Sequence, residues 1–140
     1  MSEYASQLLA ALSMIYPVAS RVKTNVQSSN HTQFDIGTAM PLGLILNELI
    51  SNVYKYAFNE KSNVALAITV ETLGDGKHQL IVEDNGIKLP EGFDFAKARS
   101  FGLSLVRRLA KQLYGKVEYS GGQGARFVVS FTESIQNKLV

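Results

Sequence analysis

An acid, two amides and a cation recur at helical spacing within residues 41–59, PLGLILNELISNVYKYAFN. At about 100° per residue, Glu48, Asn52, Lys55 and Asn59 fall inside a narrow arc, with Asn47 and Ser51 to one side. Carboxylate and amide oxygens can ligate a hard cation or orient a water, and an ammonium can meet a phosphate. A polar stripe on a helix is more often simply solvated, so its chemistry depends on what stands beside it. Leu42, Ile45, Leu46, Leu49, Ile50, Val53 and Ala57 fill the opposite face, the one a helix buries against a sheet.

Two further polar groups lie at the ends of neighbouring elements. Asp84-Asn85-Gly86 follows an apolar strand pattern. A carboxylate there can accept a hydrogen bond from an exocyclic amine, and a glycine lets a flat ring approach the backbone. Ser100-Phe101-Gly102-Leu103-Ser104 opens a helix, whose first-turn N–H groups make an anion site. Taken singly, these are also an ordinary turn and an ordinary helix start.

The elements that must position these residues can be read in order. Tyr4, Leu8, Ala11, Leu12 and Ile15 recur at helical spacing, and Pro17 ends that helix. Residues 21–27 alternate as a half-buried strand, and residues 34–36 suit a short one. Thr38 is the expected N-cap of the long helix, with Pro41 in its first turn. Residues 64–71 and 79–83 form a hairpin around Gly74-Asp75-Gly76. An irregular segment, 88–100, leads to a helix over 101–114 with Gly115 as its stop. Strands 117–120 and 126–132 follow, joined by Gly121-Gly122-Gln123-Gly124. His31 and His78 are expected to be solvated, in a turn and at a strand start. This pattern implies an α+β, two-layer sandwich, a mixed and mostly antiparallel sheet with helices on one face.

Composition narrows the class. The 140 residues suit one domain, and 46% hydrophobic with 19% charged residues is ordinary for a globular chain. A formal charge of +2, with Lys and Arg scattered, argues for neither a nucleic-acid nor a membrane surface. There is no Cys, which excludes thiolate metal sites and is compatible with the reducing cytoplasm. No apolar run reaches membrane-spanning length, and no signal-peptide pattern opens the chain.

In combination, the three polar groups resemble the boxes of the ATP-binding catalytic domain of two-component sensor histidine kinases. That domain belongs to the wider ATPase superfamily of gyrase and the large heat-shock chaperone. The similarity spans about residues 4–131 and is greatest to the HWE-like branch, on PLGLILNELISNVYKYAF and on LPEGFD after the Asp84 box. The resemblance implies the Bergerat ATP-binding fold, with ATP and Mg²⁺ as cofactors. It implies that Asn52 holds the metal, with Glu48 as base or water-orienting group. Lys55 would reach the phosphates, and Tyr56 would lie against the nucleotide. Asp84 would bind the adenine amine, with Gly86 beside the ring. Gly102 and Leu103 would offer backbone N–H groups to the phosphates, and residues 88–100 would form a lid anchored by Phe93 and Phe95. Catalysis of this kind is positioning and charge neutralisation.

The resemblance further implies transfer to a histidine on a separate dimerisation domain, and from there to a response regulator. No acceptor histidine is matched here, so the chain alone is expected not to phosphorylate itself. It reads as a module in which 1–17 is the end of a linker helix, 18–133 the ATP-binding domain and 134–140 a tail. The pattern is broken in three places. Lys88 stands where the second glycine of its box belongs, and where that backbone needs positive φ or close contact with adenine a lysine would crowd the slot and is expected to weaken activity. Ser100 replaces a glycine, and Ala125 stands where a threonine hydroxyl usually assists Asp84. Two other readings share the fold: a degenerate, non-catalytic nucleotide- or partner-binding module, and a stand-alone serine kinase of the anti-sigma-factor type.

Overall fold

Alternating apolar and polar residues send side chains to opposite faces of a pleated strand, and the stretches with that pattern lie side by side in one sheet. The computed structural model describes residues 22–28, 34–56, 64–85, 101–120 and 125–132. They contain β1 (Val22–Ser28), α1 (Ile36–Tyr56), β2 (Val64–Gly74), β3 (Lys77–Asp84), α2 (Phe101–Gln112), β4 (Lys116–Ser120) and β5 (Arg126–Thr132). The five strands are ordered β1-β2-β3-β5-β4. β1 and β2 run parallel, with α1 lying between them in the chain, and every other neighbouring pair is antiparallel. This is the mixed, mostly antiparallel two-layer architecture that the sequence implies.

One face of the sheet is apolar. Leu66, Ile68 and Val70 of β2, Leu80 and Val82 of β3, and Phe127, Val129 and Phe131 of β5 share it. Leu42, Ile45, Leu46, Leu49 and Ile50 of α1 and Val106, Leu109 and Ala110 of α2 complete the same core. Full burial of one such side chain stabilises the fold by about 1.5–3 kcal/mol. The β2–β3 hairpin runs longer than expected and turns through Gly74, Asp75 and Gly76, all at positive φ.

Local expectations around the start of α1 need correction. α1 begins at Ile36, because the Asp35 carbonyl accepts from Thr38 N–H at 3.1 Å and Ala39 N–H at 2.8 Å. Residues 34–36 therefore form no strand. Thr38 is a buried first-turn residue rather than the cap, and Pro41 lies beyond the first turn. Ser51, to one side of the polar stripe, is buried.

His78 is not solvated but 3% exposed. Its ring stacks on Phe131 with centroids 5.4 Å apart and meets Phe34 edge-on at 5.0 Å. Its Nδ1 lies 3.2 Å from Thr72 Oγ1. Position 78 is in phase with Leu80 and Val82, so the pleat turns it inward.

The stop of α2 also differs from expectation. Tyr114, at φ 56°, takes the left-handed position. Its N–H donates to the Lys111 carbonyl at 3.0 Å, while Gly115 N–H donates to that of Ala110 at 2.9 Å, a Schellman closure. Gly115 is needed for another reason. A Cβ there would run into the Ser130 carbonyl and stand 2.9 Å from Phe131 Cα. The expected first helix, the segment 88–100, His31, Gly122 and Gly124, and the tail 134–140 lie outside the described residues.

Candidate functional site

The direction of each helix decides which of its ends meets which end of the sheet. Phe34, just before α1, packs on His78 and Phe131, where β3 starts and β5 finishes. α1 therefore begins at that end and runs toward the other, where β3 finishes at Asp84. α2 is tied down at its last turn, since Thr132 N–H donates to the Leu113 carbonyl at 2.9 Å. Its first turn then points the same way as the later turns of α1. The polar stripe, the start of α2 and the end of β3 thus gather at one end of the sandwich.

The contact between the two helices is specific. A Cβ on Gly102 would collide with Oε2 of Glu48 and stand 3.3 Å from its Cδ. The Glu48 carboxylate accordingly occupies room that only a glycine leaves, against the first turn of α2. That turn carries N–H groups with no acceptor inside their own helix, and the positive end of the helix dipole. Asn52 follows Glu48 by one turn on the same face, and both are half-buried. The Leu103 side chain packs on the core, so the group it can present to a ligand is its backbone.

Asp84 is half-buried at the end of β3. Its N–H donates to the Ala125 carbonyl at 3.0 Å. The next residue grips the other neighbouring strand: Asn85 N–H donates to the Ala65 carbonyl at 3.2 Å, and Ala65 N–H donates to Asn85 Oδ1 at 2.6 Å. Asn85 is thus structural within its box. The side chains of Lys55 and Tyr56, and Gly86 and Lys88 altogether, lie outside the described residues. Glu48 and Gly102 are in contact, with Asn52 and Leu103 adjoining them in their own helices, and Asp84 caps the strand at the same end.

Tyr119 also faces this end, and the sequence reading did not single it out. Its ring packs on Phe127 with centroids 5.1 Å apart. Burial raises its pKa above the ordinary 10.0, and the nearby charge of Asp84 raises it further. The alternation of residues 116–120, set against that of β5, carries the signal that would have found it.

Among the described residues, no group of three or more His, Asp or Glu side chains converges to hold a metal. A carboxylate and an amide oxygen one helical turn apart are too few for an all-protein cage. They suit Mg²⁺, which keeps waters and takes phosphate oxygens as ligands. No helix among these residues is long and apolar enough to cross a membrane.

Comparison with known proteins adds to this geometry. Residues 37–135 match the family model described as histidine kinase-, DNA gyrase B-, and HSP90-like ATPase. Blue-light-activated histidine kinase 2 of Erythrobacter litoralis is 25% identical over 85% of this chain and 34% of its own length. Sensor histidine kinase PdtaS of Mycobacterium tuberculosis is 29% identical over 66% of the chain and 17% of its own length. The chain thus spans about a third or less of these curated relatives. The histidine kinase domain of the Erythrobacter litoralis EL346 blue-light-activated kinase superposes with a TM-score of 0.82. It is 24% identical, over 99% of this chain and 64% of the other. The catalytic domain of histidine kinase ThkA shares the fold at a TM-score of 0.68 and 17% identity, over 91% of each chain.

Proposed function

This chain belongs to the histidine kinase-, DNA gyrase B-, and HSP90-like ATPase family, and on that premise we propose that it binds Mg-ATP and passes the γ-phosphate to a histidine on a separate dimerisation domain. A response regulator would then take the phosphate from that histidine. Residues 18–133 are the ATP-binding unit in this reading, 1–17 the end of a linker helix and 134–140 a tail, all in the cytoplasm.

The observation that carries the proposal is the apposition of Glu48 and Gly102 at the same end as Asp84. It puts a carboxylate beside an anion-binding helix start, within one sandwich end of a candidate amine acceptor. Asn52 would supply an oxygen to Mg²⁺, which when bound would neutralise phosphate charge. Glu48 orients, or accepts a proton from, the attacking group. Lys55 reaches the phosphates, and Gly102 and Leu103 offer them backbone N–H groups. Asp84 accepts from the adenine amine, Gly86 lies beside the ring, Tyr56 covers the nucleotide and Lys88 stands at the slot.

Asp84 is the direct test. A hydrogen bond to an ionised acceptor contributes about 1.5–3 kcal/mol, so Asp84→Asn should weaken ATP binding roughly ten- to a hundredfold. Titration calorimetry with ATP and GTP reads this out. Equal affinity of the unmodified chain for the two nucleotides would overturn the assignment.

A further inference from the structure

Asp84 and Tyr119 share the helix-covered face of the sheet with β5 between them. Tyr119 pairs with Phe127, Phe127 with Val82, and Asp84 N–H reaches the Ala125 carbonyl. Neighbouring strands are about 4.8 Å apart and residues rise about 3.4 Å each along them, so two strand spacings and a two-residue offset put the two backbones roughly 12 Å apart. Both side chains rise from the same face, close enough for the Asp84 charge to act on the Tyr119 phenol. Just before β5, beside Asp84, comes Ala125, whose buried methyl neither donates nor accepts. Contact with Phe127 at 5.1 Å fixes the position of the Tyr119 ring. An acceptor-only carboxylate and a phenol therefore stand near one another on one face of the sheet, beside the buried Ala125.

We propose that Tyr119 is a second base-reading residue, whose hydroxyl donates, directly or through one water, to the ring nitrogen beside the amine that Asp84 accepts from. The assignment rests on the reading that Asp84 meets adenine. The chemistry is complementary: adenine's edge offers an N–H donor next to a bare ring nitrogen, and the site offers an acceptor next to a donor. Guanine presents a carbonyl and a ring N–H at the same two places, and mismatches both. The donor stays a donor, because burial and the Asp84 charge both hold the phenol proton on.

Two ATP analogues separate this proposal from the one it rests on. Purine riboside triphosphate lacks the amine, and 1-deaza-ATP keeps the amine but replaces the ring nitrogen with C–H. The unmodified chain should bind both more weakly than ATP. Tyr119→Phe keeps the ring on Phe127, so its thermal unfolding should stay close to that of the unmodified chain. It should bind ATP about three- to tenfold more weakly. It should also lose its preference for ATP over 1-deaza-ATP, while still preferring ATP to purine riboside triphosphate. A variant that discriminates against 1-deaza-ATP as well as the unmodified chain does would overturn the role of Tyr119. An unmodified chain that binds ATP and purine riboside triphosphate equally would overturn the Asp84 reading instead.

Discussion

Replacing Gly102 by alanine should silence the site while leaving the fold intact. The new methyl would occupy the place of Glu48 Oε2. The obstacle is the far end of a flexible side chain, so Glu48 can swing aside at a cost of about 0.5–1.5 kcal/mol for an unfavourable rotamer. Alanine in place of glycine returns up to about 1 kcal/mol of helix propensity. The two nearly cancel, and the melting temperature should move by no more than a few degrees. Displacing a proton-handling carboxylate costs a reaction roughly 10²- to 10⁴-fold. The backbone N–H of residue 102 survives the substitution, so ATP affinity should change far less than turnover.

The assay is phosphate transfer to a separately supplied acceptor-histidine domain, run beside calorimetric ATP binding and thermal unfolding. A cycle with Glu48→Ala completes the test. Once the carboxylate is gone, Gly102→Ala should cost almost nothing more, because the two residues act through one contact. Additive losses would show that Gly102 works independently of Glu48. A loss confined to ATP affinity would refute the reasoning as well.

Gly115→Ala should behave in the opposite way. Its Cβ meets the backbone of Ser130 and Phe131, which cannot step aside, so chemical denaturation should register a loss of about 3 kcal/mol. Tyr114→Gly should instead stabilise by up to about 1 kcal/mol, relieving a left-handed tyrosine. Lys88→Gly should tighten ATP about tenfold, or 1.4 kcal/mol, by calorimetry; an unchanged affinity would mean that the lysine is accommodated. Tyr119 has a folded pKa above its unfolded value of about 10, so its stability contribution is intact below that pH. It is lost as pH rises through the folded value. Denaturation midpoints from pH 8 to 11 should therefore fall more steeply for the unmodified chain than for Tyr119→Phe.

Periodicity made much of the fold legible. Leu42, Ile45, Leu46, Leu49 and Ile50 recur at helical spacing and are all buried in the core. Gly74-Asp75-Gly76 marked the hairpin because successive positive φ angles favour such residues. The misreadings came where a residue's usual preference yielded to its neighbours. His78 looked like a surface residue until the pleat placed it between two phenylalanines. Thr38 looked like a cap, but the chain was already helical when it arrived. Glycine is the expected left-handed residue after a helix, yet Tyr114 takes that place, because Gly115 is committed to the close approach of β5. The polar groups of the site were legible one by one. That Glu48 fills the space beside Gly102 was not, since the contact joins helices distant in sequence and depends on where each packs. Tyr119 was passed over because an aromatic in an alternating strand reads as core, and most of its ring is indeed used that way.

The grip of Asn85 on Ala65 has a thermodynamic meaning for whatever occupies the site. Asp84 is bonded through its own N–H to Ala125 at the entry to β5, and through its successor to β2, on both sides of the strand that carries it. The backbone freedom of this residue, worth about 1–2 kcal/mol when fixed, has therefore been given up on folding and is not charged again when a ligand arrives. A carboxylate carried on a backbone already ordered behaves as a template rather than a tether.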